Sequence, residues 1–555
     1  MFSTNSEFMA RSSRVPKYCQ PAGKTDTIGA VLRMAPLFLC AVLAQPAHSA
    51  ENVETRSLSE LRRDLDARKT TSVELVEAFT QRIDAIDKRG PQLRSIIAVN
   101  PQAIAQARAL DQELRSKGPR GPLHGIPVLL KDNIESADPM PTTAGSLALI
   151  DNVTGRDAPI VANLRAAGAV ILGKANLSEW ANFRSDDSIS GWSAVGGLTK
   201  NPYVLDRSPC GSSAGSAVAV SAALAPVSIG TETDGSIVCP AAMNGVVGLK
   251  PTLGLLSGKH IVPIARSQDT AGPMATSVKD AAILLAALVG DAPACDPPSA
   301  GCAKSDYTKS LVPAALNGKR IGVLRFEAGR NTYLTPTYER ALAHLKEAGA
   351  TLVEVQLTKS DRVSAAEEIV LHAEFKAGLN AYFASLPKKN GPRTLAQLIE
   401  FNRQTPAELA LFGQDTFEKA NGMASLSDST YVSARADSKR LAGIEGISRL
   451  LAEHQLDLLV APTTGVAWRI DMANGSRYPG SFSSMPAVSG YPHLTVPMGE
   501  VKGLPLGLSF IGAPWSEDVL LAAGFAFEQR AKARRAPTFI PSLEGQEKAF
   551  EPAAR

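Results

Sequence analysis

The sequence predicts an α/β fold, a large mixed β-sheet sandwiched between helices. Short apolar runs of strand character, IPVLL at 126–130, AVILG at 169–173, PVSIG at 226–230 and VVGLK at 246–250, alternate with stretches whose apolar residues recur at helical spacing. The composition, 44% hydrophobic and 20% charged over 555 residues, allows one large core or two smaller ones and argues against disorder.

The elements follow in chain order. Residues 1–49 read as an N-terminal extension and export signal. Basic residues end at Arg33, an apolar stretch APLFLCAVLA covers 35–44, and QPAHSA offers small residues for cleavage near Ser49 or Ala50. About ten apolar residues are too few to span a bilayer, and an uncleaved anchor is the alternative. Leu39 before Cys40 is bulkier than a lipoprotein signal wants. The expected destination is the periplasm or the medium, with no stable membrane association after cleavage.

From 50 to 555 a single domain is the simpler account. TTSVELVEAFTQRIDAI has a helical pattern, with Thr71 and Glu74 at capping-box spacing. PQLRSIIAVN reads as a short strand before the helix NPQAIAQARALDQEL. After the four runs above, 292–307 is a surface loop, KRIGVLRF resumes a strand, and TPTYERALAHLKEAGATLVEVQL reads as helix then strand. Residues 364–453 are mostly helical with interspersed aromatics, as a cap would be. LDLLVAPTTG, LTVPMG and GLPLGLSFIG return to strand, and LLAAGFAFEQRAKAR ends in a helix.

The formal charge of +4 falls once the first 49 residues, with five basic and two acidic groups, are set aside, leaving 53 basic against 52 acidic. So neutral a body lacks the field that nucleic-acid binding needs. Of the cysteines beyond the signal, Cys295 and Cys302 bracket a DPPSAG loop, which a disulfide would close in an oxidising compartment. Cys210 and Cys239 read as small buried thiols. There is no CxxC pair and no HExxH, so the usual short zinc signatures are missing and no metal is expected.

The densest turn chemistry runs from Ser208 to Pro251, SPCGSSAGSAVAVSAALAPVSIGTETDGSIVCPAAMNGVVGLKP. Small residues there let backbone N–H groups approach a ligand, or only pack tightly. Gly211–Gly215 fits G-x-S-x-G, with Ser213 as nucleophile and His493 in GYPHLTVP as its only suitable histidine. GAVILGKA mimics a P-loop, but AVIL is strand material and Ala175 stands where a magnesium ligand belongs.

A wider combination stands out. Lys131 follows the apolar run GIPVLL, Ser212 follows SPCG, and Ser236 lies in GTETDGSIVCPA. With LHGIPVLLKDNI, GKANLSEW, GLKPTLG, SQDTAGPMA, YPHLTVPMG and GLPLGLSFIG in order along nearly the whole chain, the sequence resembles the amidase-signature family. The resemblance implies that family's fold and a catalytic triad of Lys131, Ser212 (entered through a cis peptide) and nucleophilic Ser236. A serine hydroxyl needs a base within reach, and lysine serves when burial holds it neutral. Backbone N–H groups of Thr233, Asp234, Gly235 and Ser236 would form the oxyanion hole. This chain departs from the common GGSSGG wording with CGSSAG, and has Val238 where many members carry Arg; that bears on substrate choice.

SEWANFRS, the signature region and VAPTTGVAW are similar to the wording of peptide amidases, which remove ammonia from the C-terminal carboxamide of peptides. The expected reaction is therefore hydrolysis of a peptide amide through an acyl-serine, with no cofactor and no obligate protein partner. A broad acyl- or aryl-amide hydrolase is the alternative, and a catalytically silent amide-binding scaffold a second. Another family member, the tRNA-dependent amidotransferase, works in the cytosol with partners and fits poorly with an export signal.

Overall fold

The computed structural model describes residues 56–290, 306–325, 333–357, 361–387, 391–472 and 477–544. The export signal and the Cys295–Cys302 pairing lie outside them. Eleven strands form one sheet in the order Ile96–Val99, Val170–Ala175, Pro127–Lys131, Val227–Glu232, Thr270–Ala275, Val247–Lys250, His493–Val501, Leu504–Ile511, Leu458–Pro462, Arg320–Leu324 and Thr351–Val355. The sheet is mixed. Pro127–Lys131 runs parallel to both neighbours, the central strands pair antiparallel, and the last three are again parallel. The strands that hold the site are buried along their whole length, and Pro127–Leu130 accordingly reads as an unbroken apolar run rather than an alternating one.

Local signals hold where they are local. Thr71 Oγ1 accepts the Glu74 N–H at 3.1 Å, and the Glu74 carboxylate accepts the Thr71 N–H at 2.9 Å, so the capping box opens the helix Ser72–Arg82. GAVILGKA is the strand Val170–Ala175. The central strand Thr270–Ala275 is not legible in TAGPMA, whose glycine and proline read as a turn. What selects the glycine is space, since a Cβ on Gly272 would stand 2.0 Å from the Leu249 carbonyl oxygen of the neighbouring strand.

Helices Asp361–Ser385, Leu395–Gln404, Asp415–Gly422 and Ser429–Lys439 fill the helical stretch. Phe375, Phe383, Leu398 and Phe417 pack with Trp180, Ala144 and Ile264 in a second apolar cluster, which sets these helices beside the C-terminal ends of Pro127–Lys131 and Val227–Glu232. Ligand sites of α/β sheets form at such strand ends.

Candidate active site

Register between Pro127–Lys131 and Val227–Glu232 brings Leu130 opposite Ile229, so Lys131 leaves its strand beside Thr231. Lys131 is fully buried. Its Nζ lies 2.8 Å from Ser212 Oγ, 2.8 Å from Thr231 Oγ1 and 3.1 Å from the Thr231 carbonyl oxygen. Burial lowers the ammonium pKa to about 7, against smaller upward pulls from Asp269 and Glu232. A neutral amine has two N–H bonds and one lone pair. With Thr231 taking both hydrogens, the lone pair is left to accept the Ser212 hydroxyl proton. Asn133 Nδ2 also donates to Thr231 Oγ1, 3.0 Å, and fixes that acceptor.

Ser212 follows a cis peptide from Gly211, and its carbonyl accepts the Ser178 N–H at 3.0 Å. Gly211 is packed against Ser178, whose Oγ would sit 2.2 Å from any Cβ there. The next residue joins the two serine-bearing loops, because the Ser213 N–H donates to the Ser236 carbonyl at 3.1 Å. Ser213 itself is engaged elsewhere. Its Oγ donates to the Thr231 carbonyl at 3.0 Å and accepts the Thr231 N–H at 3.2 Å. His493 binds Ser509 Oγ at 2.6 Å inside the sheet. The G-x-S-x-G alternative therefore has neither a free nucleophile nor a base at hand.

Ser212 is fully enclosed, whereas Ser236 is 8% and Thr233 9% exposed. Of the two serines, it is Ser236 that solvent and substrate can meet. The turn from Thr233 to Ser236 is held from outside itself. Thr233 Oγ1 donates to Asp269 at 2.5 Å, and the Asp234 carboxylate accepts from Ser483 Oγ at 2.5 Å and Ser484 Oγ at 2.6 Å. Glu232 accepts the N–H groups of Ile237 (2.7 Å) and Val238 (3.0 Å). These bonds leave the main-chain N–H groups of Asp234, Gly235 and Ser236 without a protein acceptor among the described residues. Gly235 adopts φ +79°, and a Cβ there would lie 2.8 Å from Ser483 Oγ.

Sequence reasoning singles out Lys131, Ser212 and Ser236 and the 233–236 turn, and the structure gathers them at one end of the two strands. It misses Thr231, Asn133, Asp269 and Ser483–Ser484, whose only signal is polarity at strand ends or turns. One reading is corrected. Cys210 and Cys239 are not free thiols but a disulfide, Cα–Cα 6.0 Å, which spans 29 residues and joins the two loops.

Beside this turn lies a cavity of about 260 Å³, reaching Asp234 on one side and Asn182, Phe183, Glu367 and His372 on the other. Glu367 on helix Asp361–Ser385 accepts from Gln268 Nε2 at 3.1 Å, and Gln268 also donates to the Thr233 carbonyl at 3.3 Å. The helical stretch is thereby tied to the turn.

Comparisons with known proteins place the chain in a family. Residues 74–521 match the family model described as Amidase. The chain is 39% identical over 501 residues to a probable amidase of Arabidopsis thaliana, covering 89% of this chain and 93% of the relative. It is 36% identical over 494 residues to a putative amidase of Arthroderma benhamiae, covering 83% and 79%. Among solved structures, the native peptide amidase of Stenotrophomonas maltophilia superposes with a TM-score of 0.84 at 53% identity, over 87% of this chain and 99% of that one. A peptide amidase has also been solved with the competitive inhibitor chymostatin.

Proposed function

This chain belongs to the amidase family, whose members hydrolyse amide C–N bonds, and on that basis we propose that it hydrolyses the C-terminal carboxamide of peptides, releasing ammonia and leaving a free carboxylate. The observation that carries the chemistry is the buried Lys131 amine 2.8 Å from Ser212 Oγ. Ser236 Oγ attacks the carboxamide carbon while its proton passes to Ser212, whose own proton passes to Lys131. The oxyanion of the tetrahedral intermediate takes the place that the free N–H groups of Asp234, Gly235 and Ser236 face, where one donor is typically worth about 2.7–4 kcal/mol of barrier. Lys131 and Ser212 return a proton to the leaving nitrogen, and ammonia departs. Water, deprotonated through the same relay, then hydrolyses the acyl-Ser236 ester and restores the enzyme.

The peptide amide is favoured as substrate by the 53% identity to a peptide amidase over nearly its full length. Export to the periplasm or the medium is favoured by the basic-then-apolar N-terminus and by the Cys210–Cys239 disulfide, a bond that persists in oxidising compartments. The enzyme acts as a single chain on short peptides, with no cofactor, since protein groups and water supply every proton and nucleophile. The deciding experiment is ammonia release from an amidated dipeptide by the mature chain, against the Ser236→Ala variant, the free-acid dipeptide and an aryl amide. Ammonia from the peptide amide alone, lost in the variant, establishes the reading. Cleavage of the aryl amide alone keeps the triad and moves the substrate class.

A further inference from the structure

We propose that the Cys210–Cys239 disulfide is a positioning element of the catalytic machinery, holding the Ser212 loop in register with the Ser236 turn. The inference rests on the roles given to those serines above. Cys210 lies two residues before Ser212, and Cys239 three residues after Ser236, in the first turn of helix Val238–Met243. The bond therefore crosses between the two loops right beside the relay.

The backbone at Cys210 takes a conformation that a cysteine adopts only at a cost. Its φ is +57°, a left-handed conformation that glycine adopts freely and other residues at a cost. A cysteine persists there with its sulfur spent on the partner loop. The other ties between the two segments are weaker and reversible, among them the Ser213 N–H to the Ser236 carbonyl, Asn244 Nδ2 to the Pro209 carbonyl at 2.8 Å, and Asn201 Nδ2 to the Ser208 carbonyl at 3.3 Å and the Met243 carbonyl at 3.1 Å. Asn244 Nδ2 is shared with the Pro240 carbonyl at 2.7 Å, and none of these bonds fixes the spacing as a covalent link does.

Both cysteines are buried, with Tyr203, Met243 and Trp468 around them. Aqueous thiols are thus kept from the bond, which acts as a permanent clamp rather than a switch. Its effect is on reactivity, because a serine displaced by about 1 Å from its partner can lose on the order of a hundredfold in rate.

The test compares the oxidised parent with Cys210→Ser/Cys239→Ser and Cys210→Gly/Cys239→Ala, the second giving the left-handed position the residue that adopts it freely so that the fold survives. Each is assayed for phosphonylation of Ser236 by a fluorophosphonate and for ammonia release. The expected result is a fall of at least tenfold in labelling rate and kcat in both variants. KM should stay within threefold, and the acid limb of the pH profile should stay near pH 7, because Lys131 keeps its Thr231 contacts. Labelling of the Gly/Ala variant within twofold of the parent overturns the proposal. A parent that labels at Ser236 but frees no ammonia overturns the peptide-amide reading instead, while the labelling comparison still decides the clamp.

Discussion

Lys131 and Thr231 meet twice, Nζ to Oγ1 at 2.8 Å and Nζ to the carbonyl oxygen at 3.1 Å, and this double contact aims the lysine lone pair at Ser212. The base is useful only when neutral, and burial brings its pKa to about 7. Activity on an uncharged amide should therefore rise with pH through about 7 and level off above it. Lys131→Arg stays protonated at every accessible pH. It should lose about 10²–10⁴-fold in kcat and show no such limb, as steady-state ammonia release across pH 5–9 would record.

Removing the Thr231 hydroxyl tests the aiming itself. Thr231→Val keeps the shape and the carbonyl contact but strips the acceptor shared by Lys131 and Asn133. With one N–H unplaced, the amine can turn toward Ser212 as a donor rather than an acceptor. The expected outcome is a kcat about tenfold lower with KM little changed, read from the same assay at pH 8.

At Gly235 the backbone φ of +79° and the 2.8 Å approach of Ser483 Oγ leave no room for a methyl group. Gly235→Ala should cost about 1–2 kcal/mol for the left-handed alanine and push aside the serine that holds Asp234. If the N–H groups of 233–236 receive the oxyanion, kcat should fall about 10²–10³-fold. A thermal melt and single-turnover acylation separate the two effects.

How much of this can be read in the chain follows from the range of each interaction. The Thr71–Glu74 cap and Lys131 at the end of its apolar strand are written in neighbouring residues. The Cys210–Cys239 bond is not, because it depends on two loops 29 residues apart meeting on the same side of a sheet. Thr270–Ala275 is illegible for another reason. Gly272 is dictated by the close approach of the Leu249 carbonyl on the neighbouring strand, and a glycine followed by proline looks like a turn when only propensity is consulted. Asp269 and Ser483 become visible only as the outer supports of a turn whose inner residues stand out in the sequence.

His493, buried within the sheet, makes a prediction about stability. Burial, with nearby Lys250, lowers its pKa to about 3 from 6.5. Between those values the unfolded chain binds a proton that the folded chain refuses, so the stability contributed by neutral His493 is full above pH 6.5 and drains away as pH falls. Buried carboxyls such as Asp132, raised to about 6 by burial, act in the opposite sense, and they cancel in a comparison of parent with His493→Gln. The stability advantage of the parent should shrink by about 2 kcal/mol from pH 7 to pH 5, at about 1.4 kcal/mol per unit, as urea unfolding at the two pH values would measure.

The wall behind Trp180 offers a last test, of charge balance. Arg184 is buried with Nη1 2.9 Å from Glu179 and 3.5 Å from Glu408, and its guanidinium lies 4.1 Å from the Phe412 ring centroid. Glu408 also accepts from Ser146 Oγ at 2.9 Å and from the Leu147 N–H at 2.6 Å, which pins residues 405–413 to the segment after Lys131. One guanidinium cannot neutralise two buried carboxylates. Burial, reinforced by Glu408, accordingly holds the Glu179 pKa well above its usual range and favours a proton on Glu179. Glu179→Gln should then cost less than about 1.5 kcal/mol at pH 7, since a neutral amide replaces a neutral acid. Arg184→Met, by contrast, leaves Glu408 buried without its cation and should cost about 3–5 kcal/mol. Urea midpoints of the two variants would decide it: equal losses would mean that both carboxyls are ionised, and a large loss confined to Arg184→Met would place the proton on Glu179.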